Sequence, residues 1–197
     1  MPKSTRQQAD EHRKQILSAA ASLFRERGVS AVSIQEIMAA VGMTHGAFYK
    51  HFSSKEQLAT MACSAAFEQV IPVREQWVDG KTGRRTIESF MRCYLSTYHR
   101  DIPGSGCPTV ALATDAARAP QGSTLRDQYL IGTREVITEI ASLLEGPEDE
   151  CFKKATGIYA AMVGAISISR ATNGHELSED VLTAVQDLLT TSPHQVV

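Results

Sequence analysis

Apolar residues recur three and four positions apart along almost the whole chain, and no run alternates in the manner of a half-buried strand. The pattern predicts an all-α fold. A polar arm, Met1 to Asp10, leads into a helix over about Glu11–Arg27 with Ile16, Leu17, Ala20, Leu23 and Phe24 on one face and Gly28 at its stop. Ser33, with Glu36 three residues on, has the spacing of a capping box and opens a short helix whose stripe is Ile34, Ile37, Met38 and Val41. Gly42 supplies a turn. Thr44 caps a third helix to about His51, with Ala47, Phe48 and Phe52 inward. A long helix follows to about Val78, then a turn at 79–83, and helices over about 84–100, 108–117, 123–145, 148–172 and 178–190, the last capped by Ser178.

Two helices as short as those after Ser33 and Thr44 are unstable alone and must pack on a third, which the first helix supplies. Three short helices around one core, the last facing solvent, make a helix-turn-helix. The expected organisation is a three-helix DNA-binding head, residues 1–56, joined by a long helix to a helical body, residues 57–197. No flexible linker separates them, so a rigid junction is expected.

Charge changes the picture only when read by region. The net charge of −2 argues weakly against a nucleic-acid binder. Yet residues 1–56 hold eight Lys/Arg against five Asp/Glu, and the remainder twelve against seventeen. A basic front on an acidic body suits a head that meets phosphate. The outward residues Thr44, His45, Gly46, Tyr49, Lys50 and His51 include no carboxylate and offer donors to phosphate or base edges. Lys55 in the first turn of the next helix opposes that helix's dipole, a placement that a nearby anion would offset.

These residues carry a family resemblance. Ser33 to Leu58 resembles the DNA-binding signature of the TetR family, with Ile37–Gly42, Thr44–Gly46, Phe48–Phe52 and Ser54–Leu58 filling its pattern, and Ile16 to Gly28 fits the helix before it. The similarity covers about the first sixty residues. Met38 stands where members commonly have Ala. The resemblance implies an Ω-shaped homodimer of helical subunits that represses transcription until an effector binds the body. Thr44, Tyr49, His51 and Lys55 are then expected on phosphates, with Ser33 adding another, and His45 and Lys50 on base edges beside Gly46.

A single short recognition helix gives little contact, so double-stranded DNA with a palindromic operator and a homodimer are the expected partners. The last two helices suit the dimer face through Ile158, Ala161, Met162 and Ala165 on one and Val181, Val185 and Leu188 on the other. Effector-pocket candidates are Phe67, Val70, Ile71, Trp77, Phe90, Tyr94, Tyr98, Leu112, Asp115 and Ile131. The segment Gly104–Val110 is similar to a Gly-Cys segment in a subset of TetR-like regulators, some of which respond to electrophiles, so Cys107 at a helix N-terminus is a further candidate, as sensor or as inert packed thiol.

No secretory signal, membrane span or C-x-x-C pair is visible, which points to the cytoplasm. The chain lacks H-E-x-x-H, G-x-S-x-G and a P-loop, so no enzymatic activity, catalytic residue, metal or cofactor is expected. The competing expectation is a helical ligand-binding or thiol-reactive sensor protein without DNA binding.

Overall fold

The computed structural model describes residues 5–75 and 86–191. Trp77 and the turn at 79–83 lie outside these residues, as does the side chain of Ile71. In chain order the elements are α1 (Thr5–Arg27), α2 (Ile34–Ala40), a 3₁₀ segment (His45–Lys50), α3 (Lys55–Glu75), α4 (Ile87–Tyr94), α5 (Thr97–Asp101), a 3₁₀ turn (Pro103–Ser105), α6 (Pro108–Arg118), α7 (Thr124–Ala141), α8 (Glu148–Ala171) and α9 (Leu177–Thr191). Every element among the described residues is helical, and none of these helices is long and apolar enough to cross a membrane. They form two compact units, residues 5–69 with 103–130, and 70–75 and 86–102 with 131–191.

The first unit is built on α1. Ile16, Ala20 and Phe24 on its apolar face meet Val32, Ile37, Met38, Phe48, Phe52 and Leu58, and all are buried. The helix starts earlier than its apolar stripe because Arg6–Asp10 are exposed residues with no Pro or Gly among them to stop it. It ends at Gly28 with φ +80°, a left-handed conformation that favours glycine. Two polar groups tie residues 103–118 to it. The buried Arg25 guanidinium donates to the carbonyls of Ala21, Ala66 and Gly106 and to Gln69 Oε1 at 2.7 Å. Burial lowers its pKa to about 10, so it stays cationic at neutral pH. Asp115 Oδ1 accepts from the Val29 backbone N–H at 3.0 Å, just past the end of α1.

In the second unit the expected single helix over 84–100 is broken. Ser96 is extended at φ −128°, ends the α4 segment and caps α5 by accepting from the His99 N–H. His99 Nδ1 donates to the Tyr94 carbonyl at 2.8 Å. Arg170 on α8 donates to the carbonyls of His99 and Arg100 at the end of α5. Ser178 is not the cap that its position suggests. It is buried inside α9, where its hydroxyl donates to the Ser169 carbonyl at 2.7 Å, while Ser169 Oγ donates to the Ser178 carbonyl at 2.6 Å. This reciprocal pair joins α8 to α9 and satisfies both hydroxyls in the core.

Burial is the main cause that pushes the His99 pKa down, to about 4. The folded state therefore favours neutral His99. Its contribution to stability is complete above the ordinary value of 6.5 and is lost as pH falls from there through 4. Thermal melts of the wild type should lose stability across that window, and His99→Asn, which keeps a donor for the Tyr94 carbonyl, should show a flatter dependence. Parallel curves would contradict the assignment.

Candidate DNA-binding site

The recognition segment is shorter and tighter than its sequence suggests. His45–Lys50 forms a six-residue 3₁₀ helix, and Thr44 precedes it with no side-chain cap bond. Runs of this length have poor internal hydrogen bonding, so packing must hold them. Phe48 does so. It is fully buried, stacks on Phe52 with ring centroids 5.6 Å apart, and fixes which side of the segment faces out.

That outer side carries the residues expected to meet DNA. Thr44, His45, Gly46, Tyr49 and Lys50 are exposed, Tyr49 by 61%. His45 and Tyr49 lie edge to face at 5.8 Å, so the two rings form one ledge. A Cβ built on Gly46 would meet nothing within 4 Å, and its φ is not left-handed. Neither packing nor backbone strain inside the chain requires glycine there, although glycine is a poor helix former. His51 is half-buried at the C-terminal end and Lys55 half-buried at the start of α3.

Ser33 is placed differently from its expected role. The capping box forms in full: Ser33 Oγ accepts from the Glu36 N–H, and the Ser33 N–H and hydroxyl both donate to Glu36 Oε2, at 2.8 and 2.7 Å. The hydroxyl hydrogen is thus donated to the Glu36 carboxylate. Glu36 is also paired with Arg27 at 2.9 Å, and hydrogen bonds from Ser33 hold its carboxyl down at about 2, fully ionised in physiological conditions.

Sequence reasoning missed the cluster behind the recognition segment. Arg13 on α1 donates to the His51 carbonyl through Nη1 and to Met61 Sδ through Nη2 at 3.0 Å, and its guanidinium lies 4.5 Å from the Phe52 ring centroid. The rings of His12 and His51 are 6.1 Å apart, edge to face. Desolvation first, then the charges of His12, Arg13 and Lys50, lower the His51 pKa. The signal was present: Arg13 is in register with Ile16, Ala20 and Phe24, a cation on the apolar face.

The expected body sites are dispersed. Phe90, Tyr94 and Tyr159 form a buried ring cluster, with Tyr94 5.7 Å from Phe90 and 6.0 Å from Tyr159, and His99 is 4.5 Å from Tyr94. Phe67 packs near Tyr129 at 6.5 Å in the first unit. Tyr98 on α5, beyond the break at Ser96, is 74% exposed, and Ile131 is exposed as well. Asp115 accepts from the Val29 backbone N–H. Cys107 is buried at the cap position of α6, with Pro108 first in that helix, and interacts electrostatically with Arg25. Ile158, Met162 and Ala165 are covered by the chain's own residues, Ala161, Val181 and Val185 are half-buried, and Leu188 is exposed by 58%.

Helices α1 and α2 and an outward recognition segment around one small core define a helix-turn-helix DNA-binding protein. Residues 16–60 match the family of bacterial regulatory proteins named for tetR. Over 58 residues, 29% of this chain and 27% of the relative, the chain is 47% identical to the HTH-type transcriptional regulator AcrR of Shigella flexneri. Along 97% of its length it is 25% identical to the HTH-type transcriptional repressor NemR of Escherichia coli K12, covering 98% of that protein. The chain thus spans about a quarter of AcrR and nearly all of NemR. A TetR transcriptional regulator from Chloroflexus aurantiacus J-10-FL superposes with a TM-score of 0.73 at 27% identity, over 93% of this chain and 96% of that one. Residues 16–60 thus carry a TetR-family DNA-binding domain, and the chain as a whole resembles TetR-family transcriptional regulators along nearly its full length.

Replacing Phe48 by Ala removes the anchor of the recognition segment. The expected loss is about 3–5 kcal/mol of unfolding free energy, the usual cost of such a cavity, measurable by urea titration. A loss below about 1 kcal/mol would show that the segment does not depend on this side chain.

Proposed function

We propose that this regulator is a cytoplasmic repressor that binds a palindromic operator as a homodimer and is released by a small-molecule effector. The observation that carries the reading is the face formed by Thr44, His45, Gly46, Tyr49 and Lys50, exposed, without a carboxylate and backed by a fixed core. NemR of E. coli and KstR2 of Rhodococcus jostii are described as transcriptional repressors, which favours repression over activation. His45 and Lys50 read base edges, Gly46 lets the backbone approach, and Thr44, Tyr49, His51 and Lys55 contact phosphates. Residues 1–56 serve DNA binding and residues 57–197 serve the effector and the partner subunit. Within the second unit the Phe90, Tyr94 and Tyr159 rings beside neutral His99 are the chemistry best suited to an aromatic or apolar effector. Cys107 beside Arg25 is the site at which a thiol-reactive effector would act.

The dimer face we propose is drawn from the exposed and half-buried residues of α8 and α9. Met162 and Ala165 already have partners in their own chain, so the outer stripe of α8, with exposed Gly157, Ala160 and Ile168 and half-buried Ala161 and Gly164, is the surface left for a second subunit. A Cβ on Gly157 or Gly164 would meet nothing within 4 Å, which leaves room for a partner helix. On α9, Leu177, Val181, Ala184 and Leu188 continue that surface at one-face spacing.

Duplexes selected by the wild-type protein from a random pool should contain inverted repeats. Tyr49→Ala and Lys55→Ala should weaken binding about equally on selected and random duplexes, whereas His45→Ala and Lys50→Ala should change the preferred bases. Equal losses on both kinds of DNA for the latter pair would overturn the base-reading roles. Leu188→Glu should shift sedimentation from dimer toward monomer, and a monomeric wild type at micromolar concentration would exclude the dimer.

A further inference from the structure

Backbone bonds close both ends of the recognition segment, but the His51 carbonyl just past it accepts none of them. Phe48 pins the middle to the core, but the last turn closes through the His51 N–H to the Phe48 carbonyl and the Phe52 N–H to the same carbonyl. The His51 carbonyl points past the end of the segment. Terminal carbonyls of a short helix need an outside donor, and the negative end of the helix dipole favours a cation. Arg13, which is 38 residues earlier on α1, supplies both. The same guanidinium covers the Phe52 ring at 4.5 Å and reaches Met61 Sδ on α3 at 3.0 Å. One side chain thus touches all three elements that must agree for the recognition face to have one orientation.

We infer that Arg13 is the positioning residue of the recognition segment, fixing its rotation and tilt from behind and so setting sequence discrimination without touching DNA. The inference rests on the DNA-binding reading and adds to it a residue outside the recognition face. The chemistry is specific to arginine. A planar guanidinium lies flat on an aromatic face and sends two N–H groups to two acceptors at once, whereas a lysine ammonium presents a point charge on a flexible stem. Arg13→Lys therefore keeps the charge but not the geometry. A phosphate contact would tolerate that exchange far better than a positioning role would.

The test uses the full-length protein, a duplex selected by the wild type and a random duplex of equal length. Arg13→Lys should lose about tenfold in affinity for the selected duplex, the usual scale for a charge-assisted hydrogen bond, and at most about twofold for random DNA. The slope of affinity against salt should not change. Arg13→Met, which fills the volume without charge, should show the same loss of discrimination. Amide hydrogen exchange of both variants, without DNA, should rise at 48–52 and stay at wild-type levels in the middle of α1 and in α3. Four results would overturn the inference: unchanged discrimination, equal losses on both duplexes, a salt slope shallower by about one as for a lost phosphate contact, or exchange raised throughout the head, which marks a general structural role. If the wild type binds neither duplex, the DNA-binding reading fails, and exchange confined to 48–52 still decides whether Arg13 positions the segment.

Discussion

The fold of the head depends on burying one ring. A six-residue 3₁₀ segment has too few hydrogen bonds to persist by itself, and Phe48 converts it into part of a core by filling the space between α1, α2 and the start of α3. Once that ring is fixed, geometry leaves little freedom. Residues on the opposite side must face solvent, and these are Thr44, His45, Gly46, Tyr49 and Lys50. The polar surface and the apolar anchor are thus two sides of the same constraint.

Around that anchor, polar groups fix the angles that apolar packing leaves loose. Hydrophobic contacts are non-directional, and small cores tolerate sliding. The capping box at Ser33 sets where α2 begins, Asp115 holds the backbone just beyond α1, and Arg25 ties α1 to the Ala66 and Gly106 carbonyls. Each of these bonds fixes a backbone group of the first unit through a side chain. Asp115 and Cys107 both lie in or at the start of α6, so this short helix meets the first unit's scaffold through a carboxylate near its end and the Gly106 carbonyl just before its start.

Much of this was legible in the sequence, because helical periodicity and cap spacing are local. The stripe from Ile16 to Phe24, the Ser33–Glu36 box and the left-handed Gly28 and Gly42 follow from residues within a few positions of one another. The tight 3₁₀ form of the recognition segment was not legible, because periodicity does not separate a short α-helix from a 3₁₀ turn. Nor were Arg13, Ser96 and Ser178. Arg13 acts on a carbonyl 38 positions away, and Ser96 looks like one more polar residue on a continuous helix until it caps a new one. Ser178 has the composition of a cap but is buried against Ser169 on another helix. Tyr98 is exposed beyond the break at Ser96, a break that no local pattern announced.

The central claim is electrostatic as well as steric: a carboxylate-free face meets the phosphate backbone. Salt titration of binding to a selected duplex tests it most directly. With Lys55 the lysine of each head that contacts phosphate, and two heads on one site, affinity should fall linearly on logarithmic axes, by about tenfold between about 50 and 200 mM salt. Binding that is absent at low salt, or indifferent to salt across that range, would contradict the account.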